Sequence, residues 1–478
     1  MEASGLTLDK TFYGTDVGKT FFMTDAGKTI YCEHLWHAGH WRSAQRVQTD
    51  RAGMITAVTG GEAQSGDEIL AGWVIPGMPN LHSHAFQYLL SGRTGYRSDS
   101  GDSFWTWRKL MYRLIDQLDP RQFEAVTAWC YLQLLKGGYT SVAEFHYVHH
   151  RKNGEHYAER AEMANRVINA ATRTGIGLTL LPVLYRYSAF GEQELEAAQA
   201  PFSNSLESYL DILGDIRNSR EHGDLLFSGA APHSLRAVGK SLLQELLESL
   251  PPEQAFHMHI AEQRNEVDAC VQHCGQRPVE WLLENFPVDH SWCLVHATHM
   301  TDSELRRTAA SGAIVGLCPT TEADLGDGIF PAVDWRESGG TWGIGSDSNL
   351  RTVAAEELRL LEFTQRLKYR QRNLMTRTGT RVGDGLYGAA LSGGAQALHQ
   401  PVGKIEPGYR ADLVQLDHRH PMLADGNPGD ILDRYIFANS EQMISRVLVA
   451  GRTVIEHGRH EHDESLQSAF ESVVKALF

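Results

Sequence analysis

Positive charge is in short supply in this chain. Lysine and arginine number 44 against 59 aspartates and glutamates, a formal net charge of −15. A phosphate backbone calls for clustered basic side chains, so this balance argues against a nucleic-acid partner. It leaves room for an anionic substrate, because a few buried arginines can dominate one pocket. Long apolar runs are missing as well: nowhere do roughly eighteen apolar residues follow one another, and no membrane span is expected. The opening MEASGLTLDKTFYG lacks a basic stretch followed by an apolar core, so no secretory signal is read there. Cysteine is sparse. Its six copies, Cys32, Cys130, Cys270, Cys274, Cys293 and Cys318, form no CxxC pair. The four-residue spacing of Cys270 and Cys274 suits one face of a helix rather than a zinc knuckle. These absences describe a reduced, cytoplasmic protein with unpaired structural thiols.

What is present is a long alternation. From about residue 73, short apolar runs alternate with helix-patterned stretches, as repeated βα units do. The expected strands are WVIPGMPNLHSH, YTSVAEFHY, GIGLTLLPVLY, LLFSGAAPHS, AFHMHIAEQ, SWCLVHATH, GAIVGLCPTTE and TWGIGSDSN. Between them lie helices such as PRQFEAVTAWCYLQLLKGG, with Gly137-Gly138 as its stop, and GKSLLQELLESLPPEQ, halted by Pro251-Pro252. Eight such units have the rhythm of a (β/α)8 TIM barrel, an α/β fold, here over residues 73–400. Pro76 and Pro79 make the first strand the least regular, since proline donates nothing to a ladder. Residues 1–72 and 401–460 are β-rich and broken by turns, and we expect the two ends to build one small β-sandwich. Residues 461–478 read as a terminal helix. Residues 1–30 carry an apparent duplication, GTDVGKTFFMTDAGKT.

Strand ends carry the chemistry. His82 and His84 in PNLHSHAFQ are two apart, so on a strand both side chains face one way. His257 and His259 in FHMHIAEQ form a second such pair; His259 is nearer the strand's C-terminal end, where barrel sites are built, and His257 reads as a hydrogen-bonded core residue. Imidazoles with a carboxylate such as Asp347, after the eighth strand, suit a divalent metal. Water bound to such a metal loses its proton near pH 7 instead of near 15.7, roughly, which points to hydrolysis. Glu262, three residues past His259, is placed for general acid/base work, although a glutamate beginning a helix has the same spacing. His296 ends the sixth strand and is a candidate to ligate the metal or to hydrogen-bond the nucleophile, with His299 as its competitor. Ser348 and Asn349 beside Asp347 are available as caps for the next helix. His149-His150 and His460/His462 have no apolar strand behind them and read as exposed loop histidines.

HxH after strand one, HxxE after strand five, His after strand six and Asp after strand eight together resemble the amidohydrolase superfamily, in its branch with one metal and no carbamylated lysine. ADLVQLD and RVLVAGRTV resemble that superfamily's composite β-sandwich. More narrowly, PNLHSHAFQ, FWTWRKLMYRL, EFHYVHH, PHSLRAV, HIAEQ and GSDSN resemble the formimidoylglutamate deiminases, a family of histidine breakdown. The resemblance implies a fold of the metal-dependent hydrolase type. It implies one divalent metal per subunit, Zn2+ or Fe2+, on His82, His84, His259 and Asp347. It also implies Glu262 as proton shuttle, His296 as the residue orienting the nucleophile, and Gln87, Arg108, Tyr147, His233 and Arg236 as substrate-holding residues. The implied substrate is a small dicarboxylate, and arginine's planar fork suits a carboxylate. A homodimer is expected.

Two other readings share parts of this pattern. A deaminase of a purine, pyrimidine or related C–N substrate would use the same metal residues and draw on Phe86, Trp105 and Trp107 for stacking. A catalytically dead barrel serving as a scaffold would be expected to have lost ligands, and this chain keeps them.

Overall fold

The structure is a computed structural model and describes residues 27–97, 104–219, 224–438 and 440–478. Most of the duplicated stretch lies outside the described residues.

Eight parallel strands with intervening helices form a (β/α)8 barrel. They are Met78–Ser83, Tyr139–His146, Gly177–Leu184, a fourth split into Leu226–Ser228 and Ala231–Pro232, then Phe256–Ile260, Trp292–His296, Ile314–Leu317 and Thr341–Ile344. Strands one to four pair in order, as do five to eight. Isolated parallel bridges join the two arcs, Ala230 to Phe256 and Ser234 to His259 on one side, Ser83 to Asp347 on the other. Strands one to three, five and six are buried along their whole length, which is why they read as near-continuous apolar runs.

The segment expected as one first strand is two. Glu68–Pro76 belongs to the flanking sheet, Gly77 donates to the Asp412 carbonyl (2.9 Å), and the barrel strand starts at Met78. Both prolines sit where their missing N–H is harmless: Pro76 ends its strand, and Pro79 coincides with a shift in register against strand two.

The chain ends pair as expected, and their strands run in one continuous seven-stranded sheet. Its order is Arg452–Glu456, Ile444–Val449, Leu413–Leu416, Glu68–Pro76, Thr29–His37, His40–Thr49 and Ile55–Gly60. The two ends meet where Leu413–Leu416 pairs antiparallel with Trp73–Pro76. The hairpin between Thr29–His37 and His40–Thr49 turns on Ala38 (φ 50°) and Gly39 (φ 81°), the positive pair that a two-residue turn requires. Ile30, Leu35, Val47, Leu70, Val74, Leu413 and Leu448 form its own small core.

Helix Pro120–Lys136 starts on a capping box of Asp119 and Gln122 with Pro120 in its first turn, and it ends at Gly137 as expected. The terminal helix, Asp463–Leu477, docks on it through Lys136–Asp463 and a Trp129–Phe470 stack. Cys270 and Cys274 share one face of helix Arg264–Cys274, and all six cysteines are free. Among the described residues, no helix is long and apolar enough to cross a membrane.

Candidate metal centre and active site

The C-terminal ends of strands one, five and six and the turn after strand eight converge on one point. His82 and His84 bring their Nε2 atoms to 3.1 Å, and Asp347 Oδ1 lies 3.7 Å from the first and 3.5 Å from the second. His259 completes a group in which each imidazole offers one nitrogen within 4.8 Å of the others. All are buried. His84 Nδ1–H donates to the Phe145 carbonyl (2.9 Å) and His259 Nδ1–H to that of His233 (3.3 Å), so in both rings the inward Nε2 is the lone-pair nitrogen.

These two inward lone pairs, with His82 Nε2 and Asp347 Oδ1 beside them, are donors that a cation could share. Zinc bonds of about 2.0–2.1 Å in a tetrahedron set ligand atoms about 3.4 Å apart, close to the separations found. Burial keeps the imidazoles neutral, with His84 pushed down to about 3 and His82 and His259 well below the ordinary range. Burial also lifts Asp347 to about 7, against the pull of His296 and with the help of Glu262 and Glu322. Neutral imidazoles and crowded buried carboxylates form the donor set of a divalent metal.

Backbone strain clusters at the same strand ends. Ala261 (φ 49°), His296 (66°), Ala297 (48°), Asp347 (46°) and Asn349 (58°) all take left-handed conformations without being glycine. At Gly345, just before the metal-facing turn, an added Cβ would stand 2.8 Å from the Cβ and carbonyl oxygen of His82.

His296 Nε2 points into the site, 3.5 Å from Asp347 Oδ2 and 3.9 Å from Glu262 Oε1. Burial opposes a charge on this ring, but Glu262, Glu322 and Asp347 outweigh it and lift His296 to about 10. Glu262 lies on a pinned loop: its own N–H and that of Ala261 donate to the Glu266 carboxylate at 3.2 Å. His299 turns away and donates to the Asp327 carbonyl (2.9 Å).

A cavity opens over this floor, and the five residues expected to hold substrate all line it. Gln87 donates to the Tyr147 hydroxyl (2.8 Å), which leaves its Oε1 without a donor among the described residues. Arg108 reaches in from helix Phe104–Ile115. His233 and Arg236 come from the loop after strand four, where Arg236 is buried and its Nε has no acceptor among the described residues.

Several readings of the sequence need correcting. His149, His150 and His460 are buried and hydrogen-bonded to Val183 O, Asn204 Oδ1 and Thr174 O; they are core histidines, not exposed ones. Ser348 and Asn349 cap nothing, because the next helix begins at Ala354. Ser348 pairs with Thr321, and Asn349 ties Asp347 O to Ser83 Oγ. His257 is the expected core residue, bonded to the Ala397 carbonyl (2.8 Å).

Comparison with known proteins agrees with this geometry. Residues 73–454 match the amidohydrolase family. The chain belongs to that family. It is a hydrolase acting on C–N bonds, and the chemistry of the family is metal dependent. It is 45% identical to the formimidoylglutamate deiminase of Pseudomonas aeruginosa, over 94% of this chain and 99% of that one. A solved amidohydrolase from Brucella melitensis is 40% identical with a TM-score of 0.90, covering 94% of this chain and 99% of that one. An adenosine deaminase from Xanthomonas campestris, solved with bound zinc, shares the fold at 20% identity and a TM-score of 0.77, over 95% of this chain and 99% of that one.

Three residues beside the candidate site escaped the sequence reading. Glu322 and Asp327 are buried beside His296 and Glu262, and Tyr185 lines the cavity. Glu322 follows strand seven as Glu262 follows strand five, and that position was the available signal.

Proposed function

We propose that the protein is a zinc-dependent formimidoylglutamate deiminase that hydrolyses N-formimidoyl-L-glutamate to N-formyl-L-glutamate and ammonia in histidine degradation. The observation that carries this reading is the pair of arginines over the metal-binding group, with Arg236 buried and one of its N–H donors unused. Glu266 and Glu262 stabilise the charge of the buried guanidinium, its Nε–H remains to meet an anion, and a glutamate derivative brings two carboxylates.

His82, His84, His259 and Asp347 would hold the metal, which when bound lowers the pKa of water enough to make a nucleophile at neutral pH. The chain's own groups account for the rest. Arg108 and Arg236 bind the carboxylates, and the unused Gln87 Oε1 accepts from the N–H of the amidine. That holds the formimidoyl carbon over Asp347 and His296. Asp347 accepts a hydrogen bond from the attacking water, and His296 orients it through Nε2. As the C–O bond forms, Glu262 takes up a proton and delivers it to the departing nitrogen. As the C–N bond breaks, the hydroxyl proton left on the new C–O oxygen passes to Asp347 and on to the same nitrogen, so both water protons leave with the ammonia and the formyl carbonyl remains. The buried carboxylates around the reacting carbon also complement a cationic amidine.

The alternative of an aromatic-base deaminase has less support. Phe86 packs in the core against Phe123 and Tyr147 rather than on the cavity, and the Trp105 side chain lies outside the described residues. Trp107, Tyr112, Tyr147, Tyr185 and Phe202 line the cavity wall, but the two arginines among them favour a dicarboxylate over an aromatic base. Ammonia release from N-formimidoyl-L-glutamate by zinc-loaded protein, against a chelated control, tests the reading. Metal-dependent release is expected; none from metal-loaded protein, with release from a purine or pyrimidine, would transfer the function to the alternative. A cytoplasmic homodimer goes with this proposal, and the mass in solution checks the assembly.

A further inference from the structure

His296 is held from behind. Its Nδ1 lies 3.2 Å from Glu322 Oε1, while its Nε2 faces Glu262 and Asp347. Glu322 stands in the first turn of helix Pro319–Leu325, directly after strand seven, and is 5% exposed. The carboxylate is itself fixed, because the Cys318 backbone N–H donates to the same Oε1 at 2.9 Å. An oxygen that already accepts from a backbone amide is an acceptor toward the imidazole as well, so Nδ1 carries the hydrogen and Nε2 is the nitrogen turned to the reaction. The left-handed backbone at His296 and Ala297 and the stacking of His296 on His259 (5.5 Å, 30°) leave the ring no other place to turn.

We infer that Glu322 is the positioning residue of His296: it accepts the Nδ1–H and so aims Nε2 between Glu262 and Asp347. A carboxylate behind an imidazole does the same in hydrolytic triads. The inference rests on the role proposed above for His296.

The test uses the full-length, zinc-loaded protein and four variants: Glu322→Ala, Glu322→Gln, His296→Asn and the His296→Asn/Glu322→Ala double variant. Metal content is measured beside kcat and KM for N-formimidoyl-L-glutamate. Glu322→Ala is expected to lower kcat about 10–100-fold with KM and zinc content unchanged, as loss of an orienting partner does. Glu322→Gln keeps an acceptor at Oε1 and recovers much of that loss. In the His296→Asn background, removing Glu322 costs nothing more, because it acts only through the ring. A further loss in the double variant, an unchanged kcat in Glu322→Ala, or loss of zinc from it overturns the inference. Unchanged kcat in His296→Asn instead overturns the role given to His296. The Nδ1 hydrogen is also read without substrate, from the ring nitrogens of 15N-histidine-labelled protein. The signal that His296→Asn removes is expected to carry hydrogen on Nδ1 and to change in Glu322→Ala; a ring with no hydrogen on Nδ1 in the unaltered protein refutes the inference whatever the substrate.

Discussion

His84 and Asp347 are joined twice. The His84 N–H donates to the Asp347 carbonyl at 2.9 Å, and the two side chains approach to 3.5 Å at the centre of the histidine cluster. Asp347 N–H in turn donates to the His82 carbonyl at 2.9 Å. The seam that closes the barrel between strands eight and one is therefore also the seam that assembles the side chains that could hold a metal. Asn80, Ser346 and Asn349 lock it with side-chain hydrogen bonds of 2.6–3.1 Å. Site geometry and barrel closure are one structural event.

Gly345 tests that coupling. A methyl group there would meet His82 Cβ and O at 2.8 Å and its N at 3.0 Å, and none of these atoms can swing aside. Gly345→Ala is expected to push strand one outward, at about 1–3 kcal/mol of stability, as overpacking does. Zinc content should fall with it. Retained stoichiometric zinc at unchanged stability would show that seam and site are independent.

Glu262 should behave differently, because it lies beside the metal-binding group without belonging to it. Glu262→Gln keeps the shape of the side chain and removes its ability to take up and release a proton. Turnover is expected to drop about 10²–10⁴-fold, the usual worth of a positioned acid/base group. Metal content, measured on the same sample, should not change. Near-normal turnover would remove Glu262 from the proton path.

These expectations could be formed early because the residues concerned obey short-range rules. His82 and His84 share a face through the two-residue period of a strand, and His259, His296 and Asp347 end apolar runs. Closing the barrel by pairing strands eight and one then brings them together. Glu322 obeys no such rule. Its partner is 26 residues away on the neighbouring strand, and only the lateral packing of strands six and seven makes them meet. His149 and His150 misled for a related reason: the chain around Pro201 folds over them, and its carbonyl takes both their N–H groups. Burial created by a distant loop leaves no local trace. Gln87, Arg108, Tyr147, His233 and Arg236 were legible only through resemblance, since nothing in their spacing separates them from surface polar residues.

Arg236 separates substrate binding from metal binding. Its replacement by Met keeps the length and apolar body of the side chain and removes the fork. A charge-assisted contact of about 1.5–3 kcal/mol corresponds to roughly a ten- to hundredfold loss in kcat/KM, expressed mainly in KM. Zinc content should be unaffected. An unchanged KM for N-formimidoyl-L-glutamate would take Arg236 out of the substrate pocket.

The last prediction concerns stability rather than turnover. Glu357 is fully buried on helix Ala354–Tyr369, where it accepts from Thr320 N–H (2.9 Å) and Oγ1–H (2.5 Å). Burial pushes it up to about 8, and the hydrogen bonds from Thr320 only partly offset that. In the unfolded chain the same carboxyl titrates near 4.3, roughly. Between these values the folded protein holds a proton that the unfolded chain has released, so the unfolded state is favoured progressively as pH rises. The stability linked to this proton is complete below the unfolded value and is lost as pH passes through about 8. Glu357→Gln keeps the acceptor for Thr320 and carries no proton to lose. Denaturant unfolding at pH 5 and pH 8.5 should therefore show a smaller alkaline loss in Glu357→Gln than in the unaltered protein. Equal losses in both would mean that Glu357 is ionised in the folded state and that Thr320 holds it as a carboxylate.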